Sequence, residues 1–514
     1  MRLLWYDVAL FLGFFAVVIG VSMYKSRKER TGEDFFLAGR GLVWPLIGLS
    51  LIAANISTEH FVGMSGQGAG IMGMAVASYE WIAAITLVMV ALFFLPKFLR
   101  SGIYTIPEYL EYRYNATARG IMAFYIVVIY IAVSISAVVY TGALTLKTIF
   151  DMNLVQAVWL IGIIAAIYTA WGGLKAIAWA DLFQGSALII GGLLTLILGL
   201  RAVGGVVAFF QANEAKLHMV LSADHPVIPW TALLVGIWIP NFYYWGLNQF
   251  ITQRALAAKT LRHGQLGVIF AAFLKLTIPF IIIFPGIMAF QLYKSELTAP
   301  GATTDAAYPL IIRNLIAPGF RGFIFAAITG AVISTLGSML NSVSTLLTMD
   351  LYKRHMKKDA SGESLIKIGR VATLGFVVIV CLIALHLGNP KFKGIFNYIQ
   401  EFQGYISPGI LAAFLFGILI KRAPSSAGIA SLILSVPIYG LLQWQFGDIA
   451  FLNRMAISFA MLIIVMSVIT LISPLQVPKV IPVKEGFDMR PAPLVLWLGI
   501  VVIVITVILY ILFW

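Results

Sequence analysis

Apolar residues in this chain come in long unbroken runs, neither in the alternation of a half-buried strand nor in the one-sided stripe of a soluble helix. They divide it into fourteen segments, approximately 5–24, 42–68, 72–96, 119–147, 153–171, 176–200, 228–249, 265–292, 319–350, 367–387, 396–420, 425–444, 452–474 and 492–514. Each can span the hydrocarbon core of a bilayer as a helix, which takes ~20 residues, so the pattern predicts an all-α polytopic membrane protein with about fourteen transmembrane helices. Two segments are interrupted. The second carries Asn55-Ile56-Ser57-Thr58-Glu59-His60 in mid-span, and the seventh carries Pro240-Asn241, where proline removes a helical hydrogen bond. Free backbone groups at membrane depth persist only where protein or a cavity supplies partners. The interruptions lie five segments apart, the spacing expected of two five-helix repeats, and an odd number of helices per repeat inverts the second copy. Paired broken helices in inverted repeats point to a secondary transporter with a midplane site. The predicted organisation is one membrane domain over 1–514. It comprises an accessory helix and inner loop (1–41), a first repeat (42–201), an inverted second repeat (228–422) and accessory helices (423–514). The outer loops 202–227 and 293–318 are the places for small soluble elements.

Composition agrees. Of 514 residues, 61% are hydrophobic and 11% charged, against about 45–50% and about 25% in soluble domains, which excludes a water-soluble globule. The net charge of +14 would suggest a nucleic-acid partner in a soluble chain; in a membrane chain the placement of the cations decides. If the first segment runs outward to inward, 24 Lys and Arg fall on the inner side, 10 on the outer side, and Lys275 inside the eighth segment. That excess predicts both termini outside, in a plasma membrane, with no nucleic-acid partner. The first run lacks a signal-peptide pattern and is expected to stay in the mature protein. A single cysteine, Cys381, allows no internal disulfide and no cysteine–metal cluster. The six histidines show no i, i+4 pairing, and neither a GxxxxGK[ST] nor a DKTG-like motif occurs. ATP-driven pumping and membrane enzymology are therefore unsupported, and no organic cofactor is expected.

Four polar residues stand inside apolar segments: Glu80, Asn241, Lys275 and Gln400. An ionisable group at the bilayer centre costs at least ~2.5–3.5 kcal/mol on insertion scales and marks function by default. Read alone, Lys275 could equally pair with a carboxylate for structure, and a lone membrane amide often only ties helices together.

The stretches LIAANISTEHFVGMSG (51–66), SYEW (78–81), GIYTIPEYLEYRYN (102–115), NFYYWGLNQFITQRALAAK (241–259), AAFLKL (271–276), SMLNSVSTLLTMDLYK (338–353) and FNYIQEFQGYISPGI (396–410) closely resemble the sodium/solute symporter family and, within it, the bacterial sodium/glucose–galactose cotransporters. TIPEYLEYR and QRALAAK mark the family; SYEW, NFYYW, FLK and NYIQ mark its sugar branch. The resemblance implies a LeuT-type five-plus-five inverted repeat and sodium-coupled symport of a neutral sugar by alternating access. It implies sugar contacts from His60, Glu80, Asn241, Lys275 and Gln400, with Tyr244 stacking on the sugar from the inner side. Met64, Tyr79 and Phe396 would close it from outside. Histidine replaces the glutamine of the bacterial pattern at position 60, where it could instead be satisfied inside the break. The implied sodium ligands are the carbonyls of Ala53, Ile56 and Ala331 and the hydroxyls of Ser334 and Thr335, although such hydroxyls often bond back to their own helix. Asp181 resembles a family acid that affects cation coupling; an exposed interfacial carboxylate is the plainer reading. Family members that hold a second sodium use a further serine where this chain has Gly337, so one sodium per sugar is expected. A symporter for inositol, a sialic-acid-like sugar or an amino acid, and a membrane sensor on the same fold, are the rival readings.

Overall fold

The computed structural model describes residues 4–26, 32–150, 152–171, 173–317, 320–387 and 395–514. Among these, ten helices are long and apolar enough to cross a membrane, and two bent helix pairs bring the total to twelve. In chain order, α1 is Trp5–Ser26. The first bent pair is α2 (Trp44–Asn55) and α3 (Glu59–Ala69), followed by α4 (Gly73–Ser101). A short helix α5 (Ile106–Arg113) leads into α6 (Ala116–Lys147), α7 (Leu154–Trp171) and α8 (Leu174–Ala202). The second half opens with α9 (Trp238–Phe242) and α10 (Gln249–Leu256), then α11 (Leu261–Leu297). The short helix α12 (Ala307–Leu315) precedes α13 (Arg321–Met356) and α14 (Gly362–Ala384). The second bent pair is α15 (Ile395–Gln403) and α16 (Ser407–Leu419), and α17 (Ser425–Gln445), α18 (Phe451–Ile472) and α19 (Val495–Leu512) complete the chain. The fifth predicted segment is the shorter α7, and the seventh is a train of short helices rather than one span.

Local sequence explains the ends. Pro45 opens α2 at a position whose N–H would be unpaired anyway. The Asn115 side chain accepts from Ala118 N at 3.0 Å and caps α6, and Thr260 caps α11 through His263 N at 3.2 Å. Gly102, at φ +66°, stops α4 in the left-handed conformation that glycine adopts freely.

The break in the second segment falls where the sequence predicts it. Ile56 is extended (ψ 103°), and α2 and α3 diverge by 56°. The seventh segment departs from expectation. Pro240 sits in the first turn of α9, where its missing N–H costs nothing, and the helix runs on through Asn241 into a wide turn over Tyr243–Leu247. The interruptions lie instead at Val235 (φ −135°) and at Asn248, extended at ψ 124°. The 43° bend between α15 and α16 falls between Gly404 and Pro408, which opens α16; a side chain on Gly404 there would collide with the Tyr439 ring at 2.4 Å.

Small residues let the central helices close on one another. A Cβ on Gly267 of α11 would lie 2.7 Å from the Ile47 side chain of α2, and one on Gly185 of α8 would press on Ala53 at 3.2 Å. Thus α2 is held between α11 and α8 with its broken end buried. The loops 202–227 and 293–318 carry small helices, Val206–Asn213 and α12.

Candidate solute and cation sites

The helix breaks and the spacing of polar residues build one cavity. On α15, Phe396, Ile399, Gln400 and Gln403 recur at i, i+3, i+4 and i+7 and therefore share a face. On α9 and its wide turn, Asn241, Tyr244 and Trp245 do the same. With Asn55, Glu59, His60 and Met64 at the α2/α3 break and Tyr79 and Glu80 of α4, these side chains line a single cavity. Its free volume is about 60 Å³, room for roughly four water molecules at ~15 Å³ each.

Of the residues expected to contact sugar, the cavity gathers His60, Glu80, Asn241, Gln400 and Tyr244. Lys275 stands one layer behind. It is fully buried and donates to Glu80 Oε2 at 2.5 Å and to Asn55 Oδ1, with its Nζ 4.8 Å from the centre of the Trp245 ring. Glu80 Oε1 faces His60 Nε2 at 3.4 Å, and Asn55 Nδ2 donates to the Tyr244 hydroxyl at 3.0 Å. A continuous chain of polar contacts thus runs Tyr244–Asn55–Lys275–Glu80–His60 across five elements, the wide turn after α9, α2, α11, α4 and α3. The amide of Asn241 donates to Ile237 O at 2.9 Å within its own helix.

The residues expected to close the cavity are aromatic and tightly apposed. The Tyr79 and Phe396 rings meet edge to face, 5.1 Å apart at 85°, and Met64 is buried beside the same cavity. Tyr244 is edge-on to both Trp245 (5.2 Å) and Phe250 (5.6 Å).

The expected cation ligands meet where α13 crosses the α2/α3 break. Thr335 Oγ1 donates to the Ala54 carbonyl at 3.0 Å. Among the described residues, no backbone N–H takes the carbonyls of Ala53 or Ile56, since Ile56 N bonds back to Ile52 O and His60 N to Ser57 O. Ala331 and Ser334 lie on the buried face of α13. Two unclaimed carbonyls with hydroxyls opposite are hard oxygen donors, which suits a sodium ion, and the same donors fit no transition metal. No cluster of His, Cys, Asp or Glu suited to a metal occurs among the described residues.

Asp181 is not interfacial. It is fully buried and accepts from Ser334 Oγ, from Ser50 Oγ at 2.5 Å and from the Arg254 guanidinium at 3.1 Å. Arg254 also donates to Ser50 Oγ at 2.6 Å, to Ser338 Oγ and to the Phe250 carbonyl. Gly337 lies on the same buried stretch of α13. Arg254, counted among inner-side loop cations in the sequence, is therefore an interior residue of α10.

Sequence reasoning missed Asn55, Glu59, Trp245, Gln403 and Arg254. Asn55 and Glu59 stand inside the polar run that betrays the break, and Gln403 completes the i, i+3, i+7 series on α15, so those signals were present. Nothing in the sequence separates Arg254 from a loop arginine.

The profile of the Sodium:solute symporter family matches residues 35–435. The chain is 40% identical over 487 residues to the sodium/glucose cotransporter of Vibrio parahaemolyticus, covering 89% of each chain. It is 32% identical over 464 residues to the sodium/myo-inositol cotransporter 2 of Sus scrofa, covering 84% of this chain and 68% of that one. Among solved structures, a sodium-coupled sialic acid symporter in a substrate-bound outward-open state superposes with a TM-score of 0.81 at 23% identity, over 93% of this chain and 99% of the other. That likeness carries the fold, which is of the LeuT type.

Proposed function

The chain belongs to the sodium:solute symporter family and is a multi-pass membrane protein that moves a solute together with sodium, and we propose that the solute is a neutral sugar of the glucose or galactose kind. The observation that carries this reading is the cavity itself, in which charged, amide and aromatic groups converge on a space too polar for a hydrocarbon. Sugar hydroxyls are neutral donors and acceptors, so a sugar site needs several such groups and a ring face to cover the solute. His60, Glu80, Asn241 and Gln400 supply the polar groups, Lys275 acts through Glu80 and Asn55, and Tyr244 supplies the face. Glu80 is paired with the one lysine behind it, a nominal charge balance that leaves an anionic solute no unpaired cation. This favours a neutral polyol over a sialic-acid-like one. A relative 40% identical is a sodium/glucose cotransporter, which supports the same class.

In this reading Met64, Tyr79 and Phe396 close the site from outside and Tyr244 from inside. Sodium binds to the carbonyls of Ala53, Ile56 and Ala331 with Ser334 and Thr335, one ion per sugar. Its binding at the α2/α3 break and solute binding in the adjoining cavity share Asn55 and α3, so each favours the other reciprocally. The chain lies in the plasma membrane with both termini outside, its repeats at 42–201 and 228–422. The test is uptake of radiolabelled hexoses into proteoliposomes under separate sodium, potassium and proton gradients. Accumulation of glucose or galactose under the sodium gradient alone is expected; accumulation of myo-inositol but no hexose would assign a cyclitol instead.

A further inference from the structure

Most polar atoms that face the cavity are already engaged. Glu80 gives one oxygen to Lys275 and the other to His60, Asn55 divides its amide between Lys275 and Tyr244, and Asn241 donates within its own helix. Two side chains differ. Glu59 Oε1 and Gln403 Oε1 are buried in the cavity wall and have no hydrogen-bond partner among the described residues. Gln403 is 5% exposed and forms the last residue of α15, directly before the bend, whereas Glu59 opens α3 directly after the break. The two acceptors therefore come from the two bent spans. His60 Nδ1 and the Tyr79 hydroxyl are also unpaired, but each can donate or accept and so imposes no sign on a solute. Gln403 does impose one, since an amide oxygen can only accept from a neutral hydroxyl, and the Glu59 oxygen does the same while its carboxyl is ionised.

Resting on the sugar reading above, we propose that Glu59 and Gln403 are the specificity-determining residues of the solute site, each accepting a hydrogen bond from a different ring hydroxyl. A buried acceptor left unpaired is costly, and a solute that donates to it removes that cost. A site built to bond a hydroxyl discriminates strongly against an analogue that lacks it, far more than an apolar pocket discriminates a methylene. The solute class is thereby narrowed to neutral polyols with at least two donating hydroxyls spaced to reach both bent spans.

The experiment uses the wild-type chain in proteoliposomes under a sodium gradient. Uptake of labelled glucose or galactose is competed by monodeoxy and monodeoxyfluoro hexoses, one ring position at a time. Fluorine fills the place of a hydroxyl without donating, so it separates donation from shape. At two ring positions both the deoxy and the deoxyfluoro analogue should compete at least about tenfold less well than the parent. Gln403→Met should flatten the loss at one position to within about twofold, Gln403→Glu, which keeps an acceptor, should retain it, and Glu59→Met should flatten the other. Deoxyfluoro analogues that all compete within about twofold of the parent in the wild type would overturn the proposal without recourse to any variant, as would variants that leave both losses intact. Absence of uptake of any hexose would bring down the sugar reading itself, a failure distinct from a flat analogue series.

Discussion

Replacing Asp181 by Asn keeps the size of a fully buried side chain and removes its charge. In the structure this carboxylate takes the only proton of the Ser334 hydroxyl, leaving the lone pairs of that oxygen free for a cation. A hydrogen bond to a charged group contributes ~1.5–3 kcal/mol and a neutral one ~0.5–1.5 kcal/mol. The change from carboxylate to amide therefore removes ~1–1.5 kcal/mol of polarisation from Ser334, and at ~1.4 kcal/mol per tenfold the sodium concentration for half-maximal uptake should rise roughly five- to twelvefold. The same substitution strands Arg254, which is fully buried and paired with Asp181 at 3.1 Å; breaking a buried pair costs ~3–5 kcal/mol of stability. Asp181→Asn should therefore also lower the thermal unfolding temperature in detergent, and adding Arg254→Gln should return most of that loss without restoring sodium affinity. Sodium titrations of uptake in proteoliposomes measure the first effect. At saturating sodium the KM for solute should stay within about twofold of wild type. A half-maximal sodium concentration that does not move, or a solute KM that rises in parallel at saturating sodium, would refute the link from Asp181 through Ser334 to the cation.

Lys275→Ala and Glu80→Gln should each reduce hexose uptake at least about tenfold, since each leaves a buried partner unpaired at ~1–3 kcal/mol; wild-type-like affinity in both would remove the pair from the site. Tyr244→Phe loses only the hydroxyl that accepts from Asn55 and should still transport, whereas Tyr244→Ala loses the ring and should weaken solute binding, with equal uptake by the two variants counting against a stacking role. The ratio of charge to solute in a reversal-potential assay should be near one, and a ratio near two would show that a second ion is carried despite Gly337. In the loop before α12, burial pushes the Asp305 carboxyl up to about 6, above its usual ~3.9. The folded state thus holds its proton more tightly than the unfolded one, and stability falls as pH rises from ~4 to ~6, then levels off; Asp305→Asn should flatten that slope in thermal unfolding measured across the range, while an unchanged slope would locate the titration elsewhere.

The sequence announced the α2/α3 break because a polar run, Asn55 to His60, cannot sit unsupported in hydrocarbon. It misplaced the break in the seventh segment because proline disrupts only a helix that has already begun; at the third residue of α9 Pro240 sits in the first turn. The extended residue Asn248, three positions beyond the aromatic run Tyr243-Tyr244-Trp245, carries no such local mark. The bend between α15 and α16 carries a local mark, Gly404 and Pro408, but the close approach of the Tyr439 ring to Gly404 is a tertiary contact that no local pattern contains. Polar residues alone inside apolar runs, Glu80 and Lys275, were legible as a charge pair in prospect, but their layering was not. That Lys275 stands behind Glu80 and Asn55 is set by the approach of α11 to α2, a tertiary fact. Arg254 and Asp181 illustrate the same limit: both lie near the inner ends of segments, where a cation or an acid is unremarkable, and only the packing of α8, α10 and α13 buries them together.

A symporter must return empty to begin the next cycle, and whatever fills the closed cavity on that leg is carried across without benefit. The cavity has room for roughly four waters, with the Tyr79 and Phe396 rings 5.1 Å apart in its wall, so a larger solute has to displace such side chains to be seated. If the empty return leg passes through a form as tight as this one, each cycle carries back only a handful of water molecules.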